Sequence, residues 1–368
     1  MVHTIKQHVM PQWVLRNFRS DDTALAEKGK QRVWCHTVYL DENKQNVIKE
    51  FPLPISSVGV AKSCFSLIDA ETGELFDIEQ ELSEYELRTS TVFNGFIRNQ
   101  DFSSLLRVGE AGNSLEAVVN FMTIQMVLNL HNPQHKYGGK ELFFSSLMKG
   151  LEENFLEVKA AINGMPDYVL ELYGPEFSRK IVRVSNSTSD KSQVCKVLFV
   201  LFVLAESKGL PILVKSLSVL RDHLFGNIYI EGVYHTGYSF DSIESRPVFA
   251  IGPNVFSKSI DGELIYLPIA HNWAFGFSVR KKKFYNSELI IYSANPANLN
   301  LATDNQIKLF KVSHDFIDNI VGHVLMGAVG NSNTIYTPHE CADVDRYLAM
   351  QGENEDFFYK PTHPERVI

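Results

Sequence analysis

A histidine and an arginine flank the start of a short apolar segment near the N-terminus, a pattern typical of an anion site. His8 precedes Pro11, and Arg16 lies within residues 11–18, where proline in the first turn and the apolar residues after it predict a short helix. The N–H groups of a helix start carry partial positive charge, and a guanidinium donates paired hydrogen bonds to phosphate oxygens. We therefore predict that His8 and Arg16 hold an anion such as a phosphate. The structural alternative is that His8 caps the helix and Arg16 pairs with an acidic residue.

Two glutamates lie in the next helical segment, residues 78–98, and their spacing suits acid–base or metal chemistry. Glu79 and Glu86 are seven residues apart, or two helical turns, so both lie on one face. Such a pair of carboxylates binds a divalent metal such as Mg²⁺ or shares a proton, which raises the pKa of one carboxyl. We predict Glu79 and Glu86 as catalytic residues and as the metal ligands. The alternative is an acidic helix start in contact with solvent, where carboxylates complement the helix dipole.

Gln125 is a polar residue in a helix that is apolar on almost every side. It lies within residues 114–130, whose composition predicts a helix deep in the fold. A buried amide needs hydrogen-bond partners, because leaving it unpaired costs roughly 1–3 kcal/mol. Gln125 therefore either joins helices together or lines an enclosed polar site, where we predict that it binds substrate.

The elements that must position these residues follow from the hydrophobic pattern, which predicts an α+β fold. Two β-like runs around a polar stretch predict an N-terminal β-hairpin, and a helical middle follows. Short β-branched and aromatic runs then predict a second, small, mainly antiparallel β region, followed by a closing C-terminal helix and a polar tail. The predicted hairpin strands are residues 32–39 and 46–53, the helices 78–98, 114–130, 141–163 and 194–205, the later strands 227–234, 247–251, 263–268, 274–280 and 289–292, and the closing helix 313–329.

The length and composition are those of an ordinary globular protein. The chain has 368 residues, of which 45% are hydrophobic and 21% charged, and this excludes bulk disorder and a fibrous fold. Such a length predicts a single large domain over residues 1–368, or two packed lobes. The lobes would be residues 1–225, with the hairpin and the helices, and residues 226–368, mainly β with the C-terminal helix.

Charge, cysteine content and hydropathy restrict the partners and the compartment. A net charge of −8 argues against broad charge-driven binding to nucleic acid or membranes, but it is compatible with a local basic cleft. The most apolar run, residues 194–205, is shorter than the roughly 20 residues that span a bilayer, and no secretory signal is evident. Four cysteines without paired spacing fit a reducing compartment and give no support for a structural zinc site. We therefore expect a cytoplasmic protein that needs no membrane.

Several of these strings together resemble the DUF4238 family of bacterial proteins. The opening string His8-x-x-Pro11-x-x-x-Leu15-Arg16-x-Phe18 is similar to the signature that begins the family. The resemblance continues over nearly the whole chain, at Ile78-Glu79 with Glu86, Phe121-Met122-x-x-Gln125, residues 247–252, Leu267-Pro268-Ile269, Asp318-Asn319 and Ile335-Tyr336. The chain departs from the family at Gly252-Pro253-Asn254, which lacks an acidic turn residue, and at Leu128-Asn129, where a basic residue is usual. The resemblance implies one fold and fits a bacterial defence or toxin effector, but the family has no assigned function.

Two functions of different classes fit these residues. The first is a cytosolic, nuclease-like hydrolase of a phosphodiester or nucleotide, with Arg16 and Gln125 binding the substrate beside the catalytic residues His8, Glu79 and Glu86. Its partner would be a nucleic acid or nucleotide, and its cofactor a divalent metal such as Mg²⁺. The alternative is a non-enzymatic sensor or interaction protein in which the same side chains form a buried structural network. The chain has no Walker loop, GxGxxG, GxSxG or HExxH motif, which argues against P-loop ATPases, Rossmann dehydrogenases, α/β-hydrolases and zincins.

Overall fold

The N-terminal hairpin forms as predicted and gains a third strand from the other end of the chain. We describe the fold from a computed structural model, in which β2 (Arg32–Leu40) pairs antiparallel with β3 (Asn46–Pro54). The strand β15 (Thr334–Thr337) pairs antiparallel with the free edge of β2. Residues from both halves of the chain therefore share this sheet. The structure describes residues 7–40, 42, 46–61, 67–68, 75–76, 79–99, 108–109, 112–129, 168, 203, 227–238, 248–253, 255–258, 264–280, 289–299 and 307–353.

The second β region is a six-stranded sheet of mixed direction. Its strands, in the spatial order β10-β11-β12-β9-β13-β14, are β9 (Asn227–His235), β10 (Ser257–Lys258), β11 (Leu264–Ala270), β12 (Trp273–Arg280), β13 (Leu289–Ser293) and β14 (Ile307–Lys311). The first three pairings are antiparallel, as expected, whereas β13 runs parallel to both β9 and β14. A strand at 247–251 was also expected, but among its described residues, 248–251, only Ile251 makes a β-bridge, to Tyr336.

The predicted helices that the structure describes begin and end within one or two residues of their expected bounds. They are α2 (Glu79–Asn99), α3 (Ser114–Asn129) and α4 (His314–Asn331), while α1 (Gln12–Arg16) is the short helix near the N-terminus. The hydroxyl of Ser313 caps α4 by accepting a hydrogen bond from the backbone N–H of Phe316 at 3.2 Å. The predicted helix at 141–163 lies outside the described residues, and of the one at 194–205 only Val203 is described, as a buried helical residue. No helix in the described ranges is long and apolar enough to cross a membrane.

The polar tail expected after the closing helix is wrong for residues 334–353. This segment contains β15 and then a further helix, α5 (Ala342–Glu353). Val344 and Leu348, one helical turn apart, are both fully buried, while Asp343 in the same helix is exposed and Asp345 is half-buried. Two apolar residues in an acidic segment are a weak helical signal, so the sequence pattern did not predict this helix.

Two hydrophobic cores hold these layers together. The larger one joins α1, α2, α3 and the six-stranded sheet, and the smaller one fills the space between α4, α5 and one face of the three-stranded sheet. In β2, Val33 and Cys35 enter the larger core, whereas Val38 packs against the smaller one. Since side chains alternate along a strand, His36 and Val38 share the face of β2 that α5 covers. The remaining short pairs are β1 (Gln7–His8) with β4 (Val60–Ala61), β5 (Leu67–Ile68) with β6 (Leu75–Phe76), and β7 (Val108–Gly109) with β8 (Gly112–Asn113).

Candidate functional site

Aromatic packing fixes α1 against the two long helices of the larger core. The ring of Trp13 lies 5.1 Å from that of Phe93 on α2 and 5.3 Å from that of Phe121 on α3, measured between centroids. Phe93 and Phe121 are themselves 5.3 Å apart, so the three rings form one cluster. Aromatic contacts of this kind contribute about 0.5–1.5 kcal/mol beyond the burial of their area. A helix of five residues could not hold its position alone, and this cluster anchors it beside α2.

The side chains of His8, Gln12 and Arg16 form a hydrogen-bonded row along α1. Nη2 of Arg16 donates to Oε1 of Gln12 at 2.6 Å, and the amide nitrogen of Gln12 lies 2.8 Å from Nε2 of His8. An amide nitrogen can only donate, so Nε2 of His8 is the acceptor in this bond, whereas a proton on the same nitrogen would be donated to the carbonyl of Ser56, 3.3 Å away. Burial lowers the pKa of His8, and the charge of Arg16 lowers it further, which agrees with a neutral ring. The N-cap of α1 is Pro11, so the alternative in which His8 caps the helix is wrong.

His8 is held by a strand pair that requires a glycine. It pairs with Val60 across β1 and β4, and the N–H of Val9 donates to the carbonyl of Gly59 at 2.7 Å. Gly59 has a φ of +62°, and a Cβ there would lie 2.6 Å from Cβ of Met10. Only glycine adopts that conformation and allows that approach without strain. Gly59 therefore sets how closely the His8 segment approaches the hairpin.

Glu79, Glu86 and Arg16 interact electrostatically. The pKa of Glu86 is raised to about 7, first by burial and then by the negative charge of Glu79, while Arg16 opposes the shift. Burial also lowers the pKa of Arg16, and the charge of Glu86 opposes that change. Arg16 and both glutamates are half-buried, so solvent reaches all three. A carboxyl with a pKa near neutrality can both donate and accept a proton at physiological pH.

Three buried polar atoms around α1 have no hydrogen-bond partner among the described residues. Two are donors, Nε of Arg16 and Nε1 of Trp13, and one is an acceptor, Oε1 of Gln125. Gln125 is 2% exposed and lies one turn after Phe121 on α3, on the face that packs against Trp13. Buried polar groups are nearly always paired, so such atoms mark the places where a bound polar group would find partners.

The structure thus brings four of the five predicted residues into one interacting set. Gln12 links His8 to Arg16, and Arg16 interacts with Glu86, which interacts with Glu79. Among the described residues, no hydrogen bond or electrostatic interaction connects Gln125 to His8, Arg16, Glu79 or Glu86. The linking role of Gln12 was missed, although its four-residue spacing from both His8 and Arg16 was visible in the sequence.

The predicted metal at Glu79 and Glu86 stays a prediction. Within the described ranges, neither glutamate belongs to a group of three or more His, Cys, Asp or Glu side chains at ligand spacing. The cation beside them is Arg16, whose positive charge competes with a metal ion for the same carboxylates. The arrangement suits a shared proton at least as well as a metal.

A second group of titratable side chains lies between the three-stranded sheet and α5, and the sequence analysis missed it. His36 and Glu50 are opposite each other in β2 and β3, and Asp345 on α5 reaches the same point. Nδ1 of His36 lies 3.0 Å from Oδ1 of Asp345 and 3.9 Å from Oε2 of Glu50. A hydrogen bond that protonated Glu50 donates to the carboxylate of Asp345 is the first cause that raises the pKa of Glu50 to about 7, followed by burial. The hairpin register would place His36 beside Glu50, but nothing in the sequence points to a residue 309 positions away.

Comparison of the chain with protein-family models, with curated proteins and with solved structures gave no match. The resemblance to the DUF4238 family therefore stays a prediction.

Proposed function

We propose that the chain is a hydrolase acting on a phosphodiester or nucleotide, with its site at His8, Arg16, Glu79 and Glu86. The observation that carries the proposal is the pKa of about 7 at Glu86, beside a half-buried guanidinium whose Nε has no partner among the described residues. A proton-transferring carboxyl next to an anion-binding cation is what the hydrolysis of an anionic ester needs.

In this proposal Arg16 binds the substrate phosphate and Glu86 moves the proton. Nε–H of Arg16 donates to a phosphate oxygen, while its Nη2 remains bonded to Gln12, which fixes the orientation of the guanidinium. As a carboxylate, Glu86 accepts a proton from the attacking water, and as an acid it donates one to the leaving oxygen. Burial, and then the negative charge of Glu79, raise the pKa of Glu86 to about 7, which suits both roles. Oε1 of Gln125 accepts a hydrogen bond from the substrate.

A Mg²⁺ ion held by Glu79 and Glu86 is part of the same proposal in its metal-dependent form. Such an ion would neutralise phosphate charge and activate water.

We further propose a cytoplasmic location and a role in bacterial defence, which follow from the cysteine pattern and the family resemblance described above. A nucleic acid or nucleotide is then the partner.

The test is hydrolysis of bis-p-nitrophenyl phosphate and of nucleotides, measured with Mg²⁺ and with a chelator. Glu86→Gln should lower kcat about 100-fold or more, because the proton-transfer group is lost. Arg16→Gln should mainly raise KM. The matched controls are Glu84→Gln and Arg88→Gln, which change residues of the same types on α2 and should leave both constants within about twofold. Full activity in Glu86→Gln would overturn the proposal.

The continuous hydrogen-bonded row from Arg16 through Gln12 to His8 favours a second candidate, a non-enzymatic sensor or interaction protein. There, Arg16 and Glu86 would be a structural pair, and removing one partner would cost up to about 3–5 kcal/mol, less whatever solvent screens, because the other charge is left unpaired in a half-buried position. Equilibrium unfolding of Arg16→Gln, Glu86→Gln and the double variant separates the two candidates. Large single losses that do not add in the double variant support the structural network, and lost activity with near-native stability supports the hydrolase.

A further inference from the structure

The second group, which we call the His36 group, consists of His36, Glu50 and Asp345. It is built from three separate elements, β2, β3 and α5, on the side of the sheet that faces the smaller core. The ring of His36 is fully buried, whereas the side chains of Glu50 and Asp345 are 31% and 22% exposed. The group therefore has one buried nitrogen ligand at its base and two carboxylates at its solvent side.

The hydrogen bonds behind His36 determine which ring nitrogen carries the proton. The hydroxyl of Thr337 donates its only proton to the carbonyl of His339 at 2.6 Å. The same oxygen lies 2.7 Å from Nε2 of His36, so it accepts a hydrogen bond from Nε2–H. In the neutral ring Nδ1 then carries a lone pair. That lone pair is directed at the carboxylate of Asp345, 3.0 Å away.

Two lone pairs facing each other at hydrogen-bond distance repel unless a proton or a cation lies between them. The same tautomer, with one nitrogen donating into the protein and the other free, is the one that metal-binding histidines adopt. Here two consecutive hydrogen bonds orient the ring, one from Nε2–H of His36 to the hydroxyl of Thr337 and one from that hydroxyl to the carbonyl of His339. Such an orienting contact is found behind most histidine ligands.

The spacing of the three acceptor atoms matches that of ligands around one ion. With metal–ligand bonds of about 2.1 Å, two ligands of a tetrahedral ion are about 3.4 Å apart, and adjacent ligands of an octahedral ion about 3.0 Å. The distances from Nδ1 of His36 to the carboxylate oxygens, 3.0 and 3.9 Å, bracket these values. One atom from each residue lies within 4.8 Å of the other two. Small side-chain rotations of the two half-exposed carboxylates would complete the contact.

We propose that His36, Glu50 and Asp345 bind a divalent transition-metal ion, for which Zn²⁺ is the best fit to one imidazole and two carboxylates. Imidazole selects Zn²⁺ over Mg²⁺ and Ca²⁺, and three protein ligands leave a position open to water on the exposed side. The bound ion joins the N-terminal hairpin to the C-terminal helix. The site is separate from the one proposed for hydrolysis, so the failure of either proposal leaves the other unaffected.

The experiment uses the full chain, freed of metal with a chelator and then dialysed. Zinc chloride, and manganese chloride in a parallel series, are titrated by calorimetry, and the melting temperature is recorded with and without each ion. We expect one Zn²⁺ per chain, a rise in Tm on Zn²⁺ addition, and weaker binding of Mn²⁺. Glu50→Gln and Asp345→Asn should each weaken Zn²⁺ binding at least tenfold, because each removes a charged ligand.

The control is Asp343→Asn. Asp343 lies on the same turn of α5 as Asp345, but its carboxylate pairs with Arg346 at 3.3 Å. This variant should bind Zn²⁺ as the unchanged chain does. A second variant, Thr337→Val, removes only the orienting hydroxyl, and we expect it to weaken binding about 10- to 100-fold. Absence of 1:1 binding by the unchanged chain would overturn the proposal. So would equal binding by Glu50→Gln, or an equal loss in Asp343→Asn. If Asp345→Asn does not fold, the Zn²⁺ affinity of Glu50→Gln alone decides whether these residues bind the ion.

Discussion

At the residue scale, Gln12 joins His8 to Arg16, because its amide nitrogen lies 2.8 Å from Nε2 of His8 while its oxygen accepts a hydrogen bond from Arg16. Protonation of His8 would break this bond and turn the Nε2 proton toward the carbonyl of Ser56, 3.3 Å away. The positive charge of Arg16 already disfavours that change. At the residue scale, then, His8 is better suited to accept a hydrogen bond or a proton than to carry a fixed positive charge.

Glu86 gives the clearest prediction for a single residue. Its folded-state pKa of about 7 lies above the ordinary value of 4.5, so the folded chain binds its proton more tightly than the unfolded chain does. The stabilisation that the folded chain gains from this tighter proton binding is therefore fully present below pH 4.5 and is lost as the pH rises through about 7. We expect Glu86→Gln to flatten the stability profile across this interval. At pH 8 the variant should be more stable than the unchanged chain, by up to about 3 kcal/mol.

Urea unfolding at several pH values between 4 and 9 measures this effect. Glu84→Gln is the matched control, since Glu84 lies on the same helix and hydrogen-bonds Gln80 near the surface. Its profile should run parallel to that of the unchanged chain. If Glu86→Gln is instead less stable at pH 8, the attraction between Glu86 and Arg16 outweighs the cost of burying the carboxylate, and the structural network is favoured.

At the scale of elements, the strand pair β1–β4 positions His8 through Gly59. Gly59→Ala would place a Cβ 2.6 Å from Cβ of Met10 on a backbone with a φ of +62°. We expect a loss of about 1–3 kcal/mol in the free energy of unfolding, together with lower activity at the His8 site. Gly29→Ala is the control, because a Cβ there meets nothing within 4 Å. Equal stability of the two variants would show that β4 does not constrain the His8 segment.

The elements with a strong hydrophobic period were predictable, and those defined by distant partners were not. The helices α2 and α3 and the hairpin β2–β3 end within one or two residues of their expected bounds, because each has its own apolar pattern. The direction of β13 was missed, since a strand pattern carries no information about which neighbour it joins. The set around Arg16 was partly predictable because Arg16, Glu79 and Glu86 lie on helices with a clear apolar pattern. The His36 group was not, because Asp345 reaches it only through the packing of α5.

At the scale of the whole molecule, the two ends of the chain depend on each other. β15 completes the sheet that β2 and β3 begin, and α5 covers the face of that sheet. The proposed lobes, residues 1–225 and 226–368, therefore share a sheet and the smaller core. A boundary between independent domains normally crosses few contacts. Unfolding the C-terminal lobe would expose one face of the hairpin in the N-terminal lobe.

This dependence predicts a single cooperative unfolding transition, in which damage to α5 destabilises the whole chain. Leu348→Ala removes a fully buried side chain from the smaller core and should lower the free energy of unfolding by about 2–5 kcal/mol. Tryptophan fluorescence includes Trp13 in the larger core, and circular dichroism reports the helices, so both signals should move to the same lower midpoint. Arg346→Ala, at an exposed position on α5, should leave the midpoint nearly unchanged. Two separate transitions, with only the helical signal shifted by Leu348→Ala, would instead show that α5 unfolds independently and that the lobes are not one cooperative unit.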